Sequence, residues 1–327
     1  MKTVWRATVL LISVALFGFA VQRIGCARVV REVQAIGVGI VVILVLNAVR
    51  LFLQTRAWST ALEQDGIHAK ATELAFLRLA SQGVGYITVL GPAASEPIKI
   101  KLLQHHHRSA TAATLVDTGV YFVTAAFILL AGSISGAFLL AAKQTALTPL
   151  LLAGVIAALA LLLVIRLESC LRPVASALGR RCPAWVTKAA QIESEMRRFA
   201  SQHPAAIRHM LLLDLACQAL LLCEVAITLY LLRLPVRAGS VAAIEAAGRG
   251  VRMLSGWMPA RLGADEGGAA AAFAALGLPA AAGLAFALAR RVRDMLNCLV
   301  GLVWLAWHTK SDKATELVTY PIVEEAM

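Results

Sequence analysis

The chain has 327 residues, 59% of them hydrophobic and only 15% charged, with a formal charge of +12. That balance excludes an ordinary soluble domain and leaves room for about six to eight membrane passes of about 20 residues. The basic surplus sits between apolar runs, so its natural partners are anionic lipid head groups and the cytoplasmic leaflet, not nucleic acid.

In chain order, residues 5–21 are predicted as the first span. Their basic start resembles a signal peptide, but Gln22 and Arg23 follow where a small-residue cleavage site belongs, so a retained helix is expected. A connector with three Arg follows at 22–34, and 35–53 is the second span, with Asn47 and Arg50 near its end. Residues 54–70 are polar and are expected to lie along the interface, anchored by Trp58. Residues 72–90 are moderately apolar and lead into Pro92, Glu96, Pro97, Lys99 and Lys101. A span over 109–131, extending toward 140, carries Asp117, and 147–167 is the cleanest apolar run. Residues 168–202 are basic and amphipathic; 205–232 form a span carrying Asp214 and Glu224. Residues 239–257 precede a second interrupted stretch, 278–307 are the last span, and the tail from His308 is short and polar.

The second interrupted stretch, within 253–293, is apolar enough for membrane depth, yet it holds Pro259, several glycines, Arg261, Asp265 and Glu266. Broken backbone is tolerated inside a membrane only where protein buries it or it lines a wet cavity. Ionisable groups there cost roughly 2.5–3.5 kcal/mol each on insertion scales and read first as functional. Two half-helices meeting at a polar elbow are expected, with Pro259, Gly263 and Gly267 at the bend; Pro92 marks the equivalent elbow upstream. After each elbow a span restarts thirteen residues past the glutamate, at Ser109 after Glu96 and at Pro279 after Glu266.

Two spans, a broken hairpin and a span thus occur twice. The expected fold is an all-α polytopic membrane domain, about six full spans plus two re-entrant helical hairpins in an inverted repeat. Residues 1–145 form the first repeat, 146–307 the second and 308–327 the tail. The charge rule places 168–202 in the cytoplasm, so the hairpins enter from opposite faces. The three Arg of 22–34 then fall on the disfavoured side.

The candidate substrate-binding residues are Glu96, Lys99, Arg261, Glu266, Arg290 and Arg291. Glu96 and Glu266 either bind a cation or proton or cap the free N–H groups of a half-helix. Arg261 with Arg290, Arg291 and Arg293 suits a phosphate head group through the planar guanidinium fork, or ion pairing with Asp265, Glu266 and Asp294. Lys99 and Lys101 serve the first elbow or reach for lipid phosphates, and Asp117 is expected to pair with one of them. Glu224 is deep in its span, where a hydrogen bond to a neighbouring helix suffices to explain it. His105, His106 and His107 lack metal-ligand spacing, and the six cysteines show no CxxC pair. No catalytic motif is present, and neither a cofactor nor a metal is expected.

The segments GYITVLGPAASEPIKIKLL (85–103), WMPARLGADEGGAAAAFAALGL (257–278) and ALARRVRDM (287–295) resemble the lysylphosphatidylglycerol synthase transmembrane, flippase-like family. The second is the closer match, through Pro259, Gly263, Glu266, Gly267 and Arg290 or Arg291; in the first, Ala94 and Ser95 stand where the family has Gly-Gly. The resemblance implies a multi-pass protein of the bacterial inner membrane with inverted repeats. Relatives move a modified phospholipid between leaflets, and others are linked to hopanoid or other isoprenoid lipids. The aminoacyl-transferase activity of the full synthase is not expected here. The function expected is therefore binding or translocation of an amphiphilic lipid, with membrane lipids as partners, an anionic head group foremost. A lipid-modifying intramembrane enzyme and a scaffold for lipid-synthesis enzymes are the alternatives; homo-oligomerisation is left open.

Overall fold

The computed structural model describes residues 34, 36–87, 92–104, 111–141, 154, 194–256, 258 and 261–309. The expected spans 5–21 and 147–167, nearly all of 22–34, most of 168–202, His105 to His107, Pro259 and the tail lie outside the described residues.

Eight helices carry the architecture: α1 (Gly39–Gln64), α2 (Ala71–Ile87), α3 (Pro92–Gln104), α4 (Thr111–Ala141), α5 (Pro204–Leu231), α6 (Ala238–Leu254), α7 (Ala264–Ala275) and α8 (Ala280–Thr309). No strand occurs among the described residues. Three of these helices, α1, α4 and α5, are long and apolar enough to cross a membrane. Apolar side chains that a soluble protein would bury face outward instead, among them Val41, Val45 and Phe52 on α1 and Phe127 and Phe138 on α4.

Helix ends follow local chemistry. Pro204 opens α5, where the missing N–H costs nothing. Helix α7 closes with Gly277 at φ 78°, Gly277 N donating to Ala274 O and Leu278 N to Phe273 O, a paired C-terminal cap that needs a left-handed residue. Gly66 closes α1 in the same way, with Gly66 N bonded to Glu63 O and Ile67 N to Leu62 O.

The expected interfacial segment after residue 54 is corrected. Helix α1 runs on through Gln64, because Gln54, Thr55, Trp58 and Ser59 are buried against neighbouring helices. Trp58 is no interface anchor: it is wholly buried, and its indole N–H donates to Thr114 Oγ1 at 3.1 Å.

The element order repeats. Helices α1 to α4 have 26, 17, 13 and 31 residues, and α5 to α8 have 28, 17, 12 and 30. The packing repeats with it: α1 lies on α5, α4 on α6, and α8 on α2. Two glycines sit at the last two crossings in the same register, Gly132 twenty-one residues past Thr111 and Gly301 twenty-one past Ala280. A Cβ on Gly132 would run into the Ala242 carbonyl and Ala246 Cβ of α6, and one on Gly301 into the Leu79 backbone of α2. The closest backbone approaches of the two halves are thus built the same way, and small residues at helix crossings are what membrane packing favours.

Gly132→Ala and Gly301→Ala are each expected to lower thermal stability in detergent, by about 1–3 kcal/mol of overpacking. Gly250→Ala, where an added Cβ meets nothing within 4 Å, should leave it unchanged or raise it by up to about 1 kcal/mol. Melting curves of the three variants check this.

Candidate functional site

Charge collects at two places, one in each half. In the first, Asp117 of α4 accepts from Arg78 Nη2 of α2 at 2.7 Å and from Lys99 Nζ of α3 at 2.9 Å. All three side chains are buried. Arg78 also donates to the Gln54 carbonyl of α1 at 3.0 Å, and Lys99 lies over the Trp58 ring, 4.3 Å from its centroid. Glu96, half-buried, accepts from Thr118 Oγ1 at 2.9 Å and stands 3.8 Å from Lys99. The first hairpin is therefore clamped to α4 through a carboxylate that shares two cations.

The second place is larger. Arg290 of α8 donates Nε to Glu224 of α5 at 2.7 Å and Nη2 to Glu245 of α6 at 2.8 Å. Arg293 reaches the other oxygen of Glu224 at 2.5 Å and also Asp294 at 2.8 Å. Glu245 is completely buried and also pairs with Arg249 at 3.1 Å and Arg252 at 3.4 Å. Glu266 is completely buried too; one oxygen accepts from Gly263 N at 2.9 Å and the other pairs with Arg291. Arg261 closes the chain, 3.1 Å from Asp265 and 3.8 Å from Asp294. Among the described residues, six arginines face five carboxylates here, the Arg291–Glu266 pair being linked to the others through Arg291 Nη2 and the Arg261 carbonyl, and one positive charge is in excess.

A small cavity of about 30 Å³ opens against this set, lined by Tyr86 of α2, Gly248 and Arg252 of α6, Asp265 of α7, and Arg290, Arg291 and Asp294 of α8. It lies where the two halves meet, since Tyr86 belongs to the first and every other wall to the second. Its volume admits a water-sized occupant and no head group. Gly248 supplies the opening: a Cβ there would sit 3.9 Å from both terminal nitrogens of Arg252 and from Nη1 of Arg290. Arg252 is the loosest member, with its side chain 31% exposed and 3.4 Å from its acid.

The residues singled out by sequence thus divide. Arg261, Glu266, Arg290 and Arg291 fall in the second cluster, where Arg290 and Arg291 line the cavity, whereas Glu96 and Lys99 belong to the separate first cluster. Gly263, at φ 79°, is the bend from which α7 starts. Pro92 begins α3. Gly267 is not an elbow: it lies inside the first turn of α7, with open space beside it. Glu245, Arg249, Arg252, Arg78 and Tyr86 were not among the candidates. The first three stand at i, i+4 and i+7 of one helix, a spacing visible in the sequence as one charged face. Among the described residues no three His, Cys, Asp or Glu side chains converge as metal ligands.

The profile of the lysylphosphatidylglycerol synthase TM region matches residues 6–301 of the chain. No curated protein and no solved structure matches it.

Removing one partner of a buried pair strands the other, which costs about 3–5 kcal/mol. Arg290→Ala leaves both Glu224 and Glu245 short of a donor, so a loss in that range is expected in thermal or chemical unfolding. Arg290→Lys should fall between, because an ammonium lacks the fork that spans two carboxylates.

Proposed function

The chain belongs to the lysylphosphatidylglycerol synthase transmembrane family, and from that premise we propose that it binds an amphiphilic lipid by an anionic head group and carries that group between leaflets. It is a multi-pass membrane protein; the bacterial inner membrane is its proposed home. The observation that carries the reading is the excess positive charge at the cavity, with Arg252 loosely held and converging with Arg290 on the bare face of Gly248. Two guanidinium forks on one side of a cavity match the oxygens of a phosphate. The acyl or isoprenoid chains stay in the bilayer, against the outward apolar faces.

The proposed topology has two re-entrant hairpins in an inverted repeat. At 1.5 Å per residue α2 is about 25 Å long and α7 about 18 Å, short of the roughly 30 Å hydrocarbon layer. The repeated lengths and the exchanged packing, α4 on α6 and α8 on α2, support two halves related by a pseudo-twofold axis. We propose α8 as a further span: its Arg290 and Arg293 are neutralised inside, while Leu299, Val303 and Trp307 face outward. A head group larger than the cavity enters when the α6–α7 hairpin parts from α8, the incoming phosphate taking over arginines now held by carboxylates. Rocking of one half on the other, about the glycine crossings, alternates the exposed face.

Leaflet-to-leaflet movement of a labelled anionic phospholipid in proteoliposomes tests this. Arg252→Gln should slow it about tenfold, the worth of one charge-assisted hydrogen bond, and Gly248→Val, which fills the opening, should slow it at least as much. Equal rates in both folded variants and the unaltered chain would remove the cavity from the account.

A further inference from the structure

Helix α5 carries a buried polar seam, and its end at Asp214 lies outside the lipid site. Gln218 donates to Thr124 of α4 at 3.3 Å and accepts from Arg249 of α6, and Glu224 is held by Arg290 and Arg293. One turn before Gln218 stands Asp214, only 2% exposed. Its Oδ2 is buried without any donor. An ionised carboxylate in that position has neither water nor a partner to hold its charge, and such groups take up a proton instead.

The neighbours explain why the donors are missing. The charges within electrostatic reach of Asp214 are Arg78 on α2, Lys99 on α3 and Asp117 on α4. Both cations are committed to Asp117, at 2.7 Å and 2.9 Å. On its own helix the nearest titratable group is Cys217, whose sulfur contacts the Arg50 carbonyl. Arg50 of α1 gives its guanidinium to Asn47, and Arg249 of α6 is tied to Glu245 and Gln218. None of these cations donates to Asp214 Oδ2 while the hairpin sits where it does.

We propose that Asp214 is a proton-binding site, neutral while Arg78 and Lys99 of the α2–α3 hairpin are docked on Asp117, and that it releases its proton to water when the hairpin shifts one of those cations toward it. Two carboxylates compete for the hairpin's two cations, and the proton on Asp214 decides the winner. Only the proton moves between protein and water; no other bond is made or broken. Protonation thus sets the hairpin's position, whether or not a lipid is the cargo.

Infrared difference spectra of the full chain in lipid, recorded across a pH series, test the site. A carboxylic-acid C=O band should be present at neutral pH and vanish on raising the pH; Asp214→Asn should abolish it, Asp214→Glu should restore it, and Asp117→Asn, which frees Arg78 and Lys99 for Asp214, should make it vanish at lower pH. Spin labels at Lys101→Cys on α3 and Leu212→Cys on α5 should report a distance that changes with pH in the otherwise unaltered chain. With Asp214→Asn, which keeps the shape of the neutral acid, that distance should stay fixed at its low-pH value. A band surviving Asp214→Asn, or a distance that still follows pH in that variant, would overturn the proposal.

Discussion

A buried charge has to be met by another charge or by a dense set of hydrogen bonds, and this requirement organises the core. The Arg290 fork is its clearest expression. By holding Glu224 with one edge and Glu245 with the other, it ties α8 to α5 and α6 at once. Breaking such a link does not merely remove an attraction. It leaves a bare carboxylate where no water is at hand, so the pairs act as specific locks and not as a large source of stability. Hydrophobic contact cannot play that part between helices already surrounded by lipid, since lipid tails are as apolar as leucine.

The two halves meet this requirement with opposite signs. Arg78 lies seven residues past the start of α2, and Glu245 seven residues past the start of α6. In the first half the hairpin brings cations to an acid on the following long helix; in the second it brings an acid to arginines on the following long helix. Equivalent backbone, brought close at equivalent glycines, therefore supports two different electrostatic fields. The second half has positive charge to spare and faces the cavity. The first is closely balanced, and Oδ2 of the acid that α5 sets beside it, Asp214, is without a donor.

Much of this was legible beforehand, and what escaped did so for physical reasons. Pro and Gly interrupting apolar runs at 92 and 263 marked where α3 and α7 begin, because such residues break a continuing helix. The glutamate of the second elbow was legible as well, since Glu266 caps the helix it begins. Trp58 was misplaced because an indole near a polar stretch fits an interface as well as a cation-lined core; only the tertiary partners Thr114 and Lys99 decide. Gly267 looked like part of a bend through its neighbours, whereas the left-handed residues described there are Arg261 and Gly263. Arg252 and Tyr86 could not be assigned to a cavity by spacing alone, because its walls come from residues more than 150 positions apart.

The account stands on two hairpins that dip in from opposite faces and return. In a chain whose native cysteines are replaced, single cysteines at Lys70 and Thr111 flank the first hairpin, and at Arg237 and Pro279 the second. Labelling of sealed vesicles with a membrane-impermeant maleimide should modify both flanks of one hairpin from one face, and both flanks of the other from the opposite face. If the two flanks of either hairpin react from different faces, that segment crosses the bilayer, and the paired-repeat transporter with it is contradicted.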